Sequence, residues 1–202
     1  MNNRIQESID KITKKTSVVD ENEIPNIALY MDQVTTFIDD NLSSTKRYED
    51  DKLLTKTMIN NYTKAGLLPP PEKKKYSKDH ILMLVLIYYF KSFISINDAK
   101  KLLDPLKENY VGSDAGLSLS DFYKDVSTEE VFCHEELIND LEQKLEHVKQ
   151  NIKKSKDNDN ENLEYKQLFT FISMLSYDIF TKKRIIEDLI DNIDDFLPEE
   201  NK

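Results

Sequence analysis

Leu54-Thr55-Lys56-Thr57-Met58-Ile59-Asn60-Asn61-Tyr62-Thr63-Lys64-Ala65-Gly66-Leu67-Leu68-Pro69 is the stretch on which the fold turns. Met58, Ile59 and Tyr62 share one side of a helix, with polar residues on the other. Thr55 is its N-cap, since a hydroxyl there can accept an orphan amide of the first turn. Gly66 is its C′ residue, because glycine enters the left-handed region without strain. Pro69-Pro70-Pro71 then cannot continue a helix and imposes an extended run.

Outward from this stretch the pattern stays helical. Lys73–Tyr76 is expected to form a small wing or hairpin arm. Ser77, with His80 three residues on, is a weak cap signal. Ile81–Phe93 is apolar almost all round, so a buried central helix is expected. A short helix over Ile96–Leu103 follows, capped by Ser95 or Asn97 and closed by Pro105. Upstream, Ile27, Tyr30, Met31, Val34, Phe37 and Ile38 repeat at three and four residues, the face of a helix ending near Asn41 or Leu42. Ser43–Asp51 reads as a loop. Residues 1–23 are polar, with Ile5, Ile9 and Ile12 at the spacing of a weak helix.

The second half has a different rhythm. Residues 107–127 form a connector marked by Gly112, Ser113, Gly116, Ser118 and Ser120, with Asp121–Tyr123 able to add one helical turn. A long helix is expected from Thr128 to Lys154. Its residues Ile138, Leu141, Leu145, Val148 and Ile152 step as a heptad seam does, and the expectation is that they dimerise. After a polar turn at Ser155–Asn162, a last helix runs over Leu163–Phe196 with a broad apolar face. The expected fold class is all-α, a helical unit over 24–106 followed by a long antiparallel helical hairpin in a dimerisation or effector module over 128–202.

Composition narrows the function. The chain has 202 residues, a net charge of −10, three glycines and one cysteine. The single Cys133 excludes an internal disulfide and an all-cysteine metal site. The longest apolar run, Ile81–Phe90, is too short to span a bilayer, and no signal peptide opens the chain, so a cytoplasmic protein without a membrane partner is expected. Residues 46–78 hold nine basic and four acidic side chains, a +5 island in a chain whose remainder sums to −15. Lysines and helix N-terminal amides suit phosphate, whereas Asn and Thr can reach base edges, and Asn suits adenine. Thr55, Lys56, Thr57, Asn60, Asn61 and Lys64 are therefore candidates for DNA contact. Lys73, Lys74 and Lys75 are candidates for phosphate. Tyr62 and Tyr76 divide between phosphate contact and packing.

The string 54–69, the arm Lys74, Tyr76 and Ser77, and the later Ile96, Leu102 and Leu103 together resemble a MerR-type DNA-binding domain. The segments IPNIALYMDQVTTFID (24–39) and LTKTMINNYTKAGLLPPP (54–71) also resemble a Firmicutes family that contains such a domain. The resemblance implies a winged helix-turn-helix over 24–106 in a sequence-specific transcriptional regulator that binds double-stranded DNA as a homodimer. The chain departs from the pattern at Asn60 and Asn61, where such proteins often carry an arginine, and in its longer 43–52 loop. Its C-terminal half lacks the cysteines of metal-sensing members.

No catalytic constellation is visible: no glycine-rich phosphate loop, no paired histidines and no nucleophile motif. No enzyme activity, cofactor or metal is expected. Cys133-His134-Glu135 points in successive helical directions, and His134, which falls on the heptad seam, reads as a solvated or seam histidine. Two rival functions stay open. One is a protein-interaction adaptor that keeps the fold without binding DNA. The other is a sensor of an unidentified small-molecule or protein effector, with Phe169, Phe171, Met174 and Tyr177 around a pocket.

Overall fold

The structure, a computed structural model, describes residues 2–14, 19–111, 118–153 and 160–197. The connector residues Gly112, Ser113 and Gly116, and the turn at 155–159, lie outside them. The described residues are mostly helical. In chain order they form α1 (Asn2–Thr13), β1 (Leu29–Tyr30), α2 (Met31–Leu42), α3 (Lys56–Lys64), β2 (Lys75–Tyr76), α4 (Lys78–Phe90), α5 (Ile96–Tyr110), α6 (Leu119–Asn151) and α7 (Asn160–Asp191), with short 3-10 turns at 21–23, 43–45 and 193–196. No helix among them is long and apolar enough to cross a membrane.

The chain divides into two compact units. The larger comprises Val18–Thr128 and Ile186–Lys202; the smaller comprises Met1–Ser17 and Glu129–Ile185. These bounds differ from the division read from the sequence. Of the polar N-terminal segment 1–23, residues 1–17 belong to the smaller unit, where Ile5 and Ile9, one turn apart on α1, are buried. A dozen polar residues cannot be weighed by composition when two isoleucines at the right spacing find a core.

In the larger unit α4 is the axis of the core. Every residue from Ile81 to Ile87 is buried, as the all-round apolar pattern requires. Around it pack Val34, Ile38 and Leu42 of α2, Ile59 and Tyr62 of α3, and Ala99, Leu103 and Leu106 of α5. Ile190 from the end of α7 joins the same core. Glu21 accepts hydrogen bonds from Lys78 at the start of α4 and from Ser120 at the start of α6. These bonds hold its carboxyl below the usual carboxylate range.

Two expectations need correction here. The first long helix of this unit starts at Met31, not Ile27, and Ile27 and Tyr30 are 68% and 54% exposed. Leu29 and Tyr30 pair instead with Tyr76 and Lys75 in an antiparallel ladder. The Tyr30 amide donates to Gln33 Oε1 at 2.8 Å, which starts the helix one residue later. The second concerns Pro105, which sits inside α5 and does not close it. An interior proline costs about 3 kcal/mol. Leu103 and Leu106 on either side are both buried, and two such side chains return roughly 2 kcal/mol each. Burial therefore wins, and the helix runs on to Tyr110.

In the smaller unit α6 and α7 run antiparallel, as expected. Gln167 donates to the Ile152 carbonyl at 2.9 Å, and Lys144 pairs with Asp178 at 2.8 Å. The α6 helix begins at Leu119, nine residues before the expected Thr128, taking in Asp121–Tyr123. Leu145 and Val148 of the heptad seam are buried against Ile5, Ile9 and Phe171, with Leu141 and Ile152 packed alongside. Most of the seam read as a dimer contact is thus occupied within the chain by α1 and α7. Ile138, at its start, is half-buried.

Candidate nucleic-acid interface

The α3 helix is punctuated as its sequence requires. Thr55 Oγ1 accepts the Met58 amide at 3.2 Å. At the other end Gly66 has φ +73°, its amide donates to the Thr63 carbonyl at 3.1 Å, and the Leu67 amide donates to the Tyr62 carbonyl at 2.9 Å. That pair of bonds is a Schellman stop. Leu67 and Leu68 then drop into the core.

Between these ends the helix has two faces. Ile59 and Tyr62 are buried, while Lys56, Thr57, Asn60, Asn61 and Lys64 are exposed. Lys56, Asn60 and Lys64 lie four residues apart, in one row, with Thr57 and Asn61 in the adjoining row. Five of the polar candidates therefore share one outward surface. Thr55 is half-buried with its hydroxyl engaged in the cap, so its side chain serves the helix first.

The loop before α3 is held from behind. Thr45 Oγ1 and Tyr88 Oη lie 2.5 Å apart, and Lys91 Nζ donates to the Leu53 carbonyl at 2.9 Å. Burial lowers the Lys91 pKa, and its ammonium also faces the Tyr88 ring at 5.2 Å. The Asp51 carboxylate accepts the Arg47 and Tyr48 amides at 3.1 and 3.0 Å. The length of this loop is thus compensated by anchors on α4.

After the polyproline run the chain makes a tight turn over 72–75, in which the Lys75 amide donates to the Glu72 carbonyl at 2.9 Å. Lys73 and Lys74 occupy the two central positions with φ +50° and +65°. Paired positive φ values belong to a type I′ turn, where Asn and Gly are the usual residues. Two lysines there carry backbone strain of about 1 kcal/mol or more each. Lys73, Lys74 and Lys75 are all exposed, and the Lys73–Glu72 contact, 3.8 Å long between exposed groups, neutralises little. Lys75 Nζ lies 5.1 Å from the Tyr30 ring centroid.

Behind the turn, Tyr76 is buried and His80 holds the start of α4. The His80 Nδ1 accepts the Ser77 amide at 3.1 Å, and Nε2 lies 3.3 Å from the Pro70 carbonyl. This pattern fits the neutral ring with its proton on Nε2. Burial pushes the His80 pKa down, against weaker upward pulls from the Pro70 carbonyl and Asp79.

Two candidates change role. Tyr62 and Tyr76 are core residues, and burial raises the pKa of both phenols. Three side chains that the sequence did not single out border the same region. Tyr30 was hidden by counting it in an apolar helical face. Lys107 donates to the Gly66 carbonyl at 3.0 Å, and Lys100 Nζ lies 3.5 Å from where a Cβ on Gly66 would stand. Both lysines come from α5, at a sequence distance that no local pattern bridges. Acidic groups are near as well: Lys56 is ion-paired with Asp32 of α2.

His134 and Cys133 stand on α6 in the smaller unit, and no group of metal-ligating side chains occurs among the described residues.

Residues 19–126 match the model of a family described as a domain of unknown function, DUF1836. The match covers more than half of the chain, and the protein belongs to that family. No curated protein and no solved structure matches the chain.

Proposed function

We propose that this protein is a sequence-specific DNA-binding transcriptional regulator acting as a homodimer, with α2, α3 and the 72–75 turn serving as a MerR-like winged helix-turn-helix. The observation that carries the reading is the surface on which Lys56, Thr57, Asn60, Asn61 and Lys64 line up, on a helix whose opposite face and both ends are fixed. An exposed row that joins two amides to two ammonium groups matches the division of labour in a groove reader: lysines to phosphate, asparagines to base edges. The strained lysine turn supports it, since two positive-φ lysines are retained where Asn-Gly would relieve strain.

The test is a competition measured by fluorescence anisotropy. A duplex from the gene's own upstream region competes against a scrambled duplex of equal length. The proposal expects a clear preference for the upstream duplex, and loss of that preference, with affinity largely kept, in Asn60→Ala/Asn61→Ala. Equal binding of both duplexes by the parent would sink sequence specificity.

An adaptor that contacts protein instead has one observation in its favour. Lys56 already has a carboxylate partner in Asp32, and α2 also exposes Asp39 and Asp40 beside the net acidity of the chain. That reading expects no duplex binding even at low salt.

A further inference from the structure

The smaller unit leaves one face of α7 uncovered. Tyr165, Leu168, Phe169, Ile172, Ile179 and Phe180 recur at three-, four- and seven-residue steps and are between 37% and 65% exposed. They form a stripe distinct from the inward face of the same helix, where Phe171 is buried and Met174 and Leu175 pack beside it. Tyr165, Leu168 and Ile172 also line an apolar groove of about 990 Å³ that continues over α1 and α6 through Ile12 and Leu137.

Size decides what such a face is for. Taking roughly 200 Å² for a large apolar side chain, the six exposed fractions leave on the order of 700 Å² open. Ile12 and Leu137, at 59% and 42%, raise this to roughly 900 Å². The largest apolar patch on an ordinary monomer is about 300–600 Å². A standard protein interface takes about 800 Å² from each partner.

We propose that a second copy of this chain covers that face, the α7 stripes of the two copies packing antiparallel in an isologous interface that closes the groove. Charge along α7 favours a copy of itself in that orientation. Glu164 and Lys166 offset each other at the N-terminal end of the stripe, whereas Lys182, Lys183 and Arg184 follow its C-terminal end. An antiparallel pair keeps the two basic ends apart, each beside the balanced end of the other copy; a parallel pair stacks the basic ends on each other. The pairing brings Ile172 near its own counterpart and Tyr165 near Phe180. The dimer seam thus moves from 138–152 of α6, mostly occupied in-chain, to 165–180 of α7. The inference rests on the two-copy part of the regulator reading and not on DNA binding.

Sedimentation velocity on the full chain between about 1 and 50 μM tests it, with far-UV circular dichroism on every sample. The parent is expected to sediment as a dimer. Ile172→Asp and Phe180→Asp, each made at an exposed position, are expected to stay helical and to weaken dimerisation by about two orders of magnitude. A parent that stays monomeric at 50 μM overturns the proposal and leaves the groove to a smaller apolar ligand. A dimer that survives both substitutions overturns it by placing the contact elsewhere. A dimer through this stripe that ignores every duplex would sink the DNA reading and leave the interface standing.

Discussion

The two units of this chain solve the same problem to different degrees. The larger buries 27 apolar residues in one cluster around α4, and caps or anchors the elements that surround it. Among the described residues the smaller buries five in its cluster, while its part of α7 keeps eight large apolar side chains in the open. Both are built from amphipathic helices, so helix formation is not what separates them. The difference is whether every apolar face meets another face inside the chain. A unit that closes on itself can offer polar side chains at its surface as a fixed tool. One that does not close leaves apolar side chains at its surface.

Core truncation breaks the comparison most strongly. Leu84 is fully buried in the middle of α4, and Leu84→Ala is expected to cost the larger unit about 3 kcal/mol. Phe169→Ala, on the open stripe, is expected to change the denaturation midpoint of the monomeric chain hardly at all. Urea unfolding followed by circular dichroism checks both, and comparable losses would show that the two regions are not different in kind.

Next come the ends of α3. Thr55→Ala removes the side chain that accepts the Met58 amide and is expected to cost about 1 kcal/mol. Thr55→Asn keeps an acceptor and should recover most of it; failure of that rescue would mean the hydroxyl acts in another way.

The lysine turn gives an effect of opposite sign. Lys74→Gly relieves a φ of +65° and is expected to stabilise the larger unit by about 0.5–1 kcal/mol while weakening binding to DNA. Loss of stability in that variant would refute the assignment of strain.

The smallest effect is a pH dependence. His80 has a folded pKa below its usual 6.5, chiefly through burial. The unfolded chain therefore takes up the proton first as pH falls. The contribution of the neutral ring is present above pH 6.5 and is lost as pH falls through the lower folded value. Urea midpoints at pH 7.5 and 5.5 should differ more in the parent than in His80→Gln; equal differences would remove His80 as the cause.

Much of the larger unit was legible because its signals are local. A cap, a left-handed glycine and an all-apolar helix each act within a few residues, and α3 and α4 follow the pattern they set. Three features were not legible. Pro105 in α5 depends on the burial of Leu103 and Leu106, which only tertiary packing decides. The β1–β2 ladder pairs residues 47 positions apart at Leu29 and Tyr76, and no periodicity reveals a two-residue strand. The seam on α6 was correctly apolar, but its partner is set by α1, whose two buried isoleucines sit in an otherwise polar segment. Of the candidate surface, the exposed row on α3 was readable from side-chain chemistry. The burial of Tyr62 and Tyr76 was not, because an aromatic at helical spacing serves packing and contact equally well.

The most direct test of the regulator reading is the salt dependence of duplex binding, comparing the parent with Lys73→Ala/Lys74→Ala/Lys75→Ala. Each lysine that neutralises a phosphate contributes about 0.9 to the slope of log K against log salt. The account predicts tight binding at low salt in the parent, and a slope smaller by about two to three in the triple variant. Absence of binding near 50 mM salt, or an unchanged slope in the variant, would contradict it.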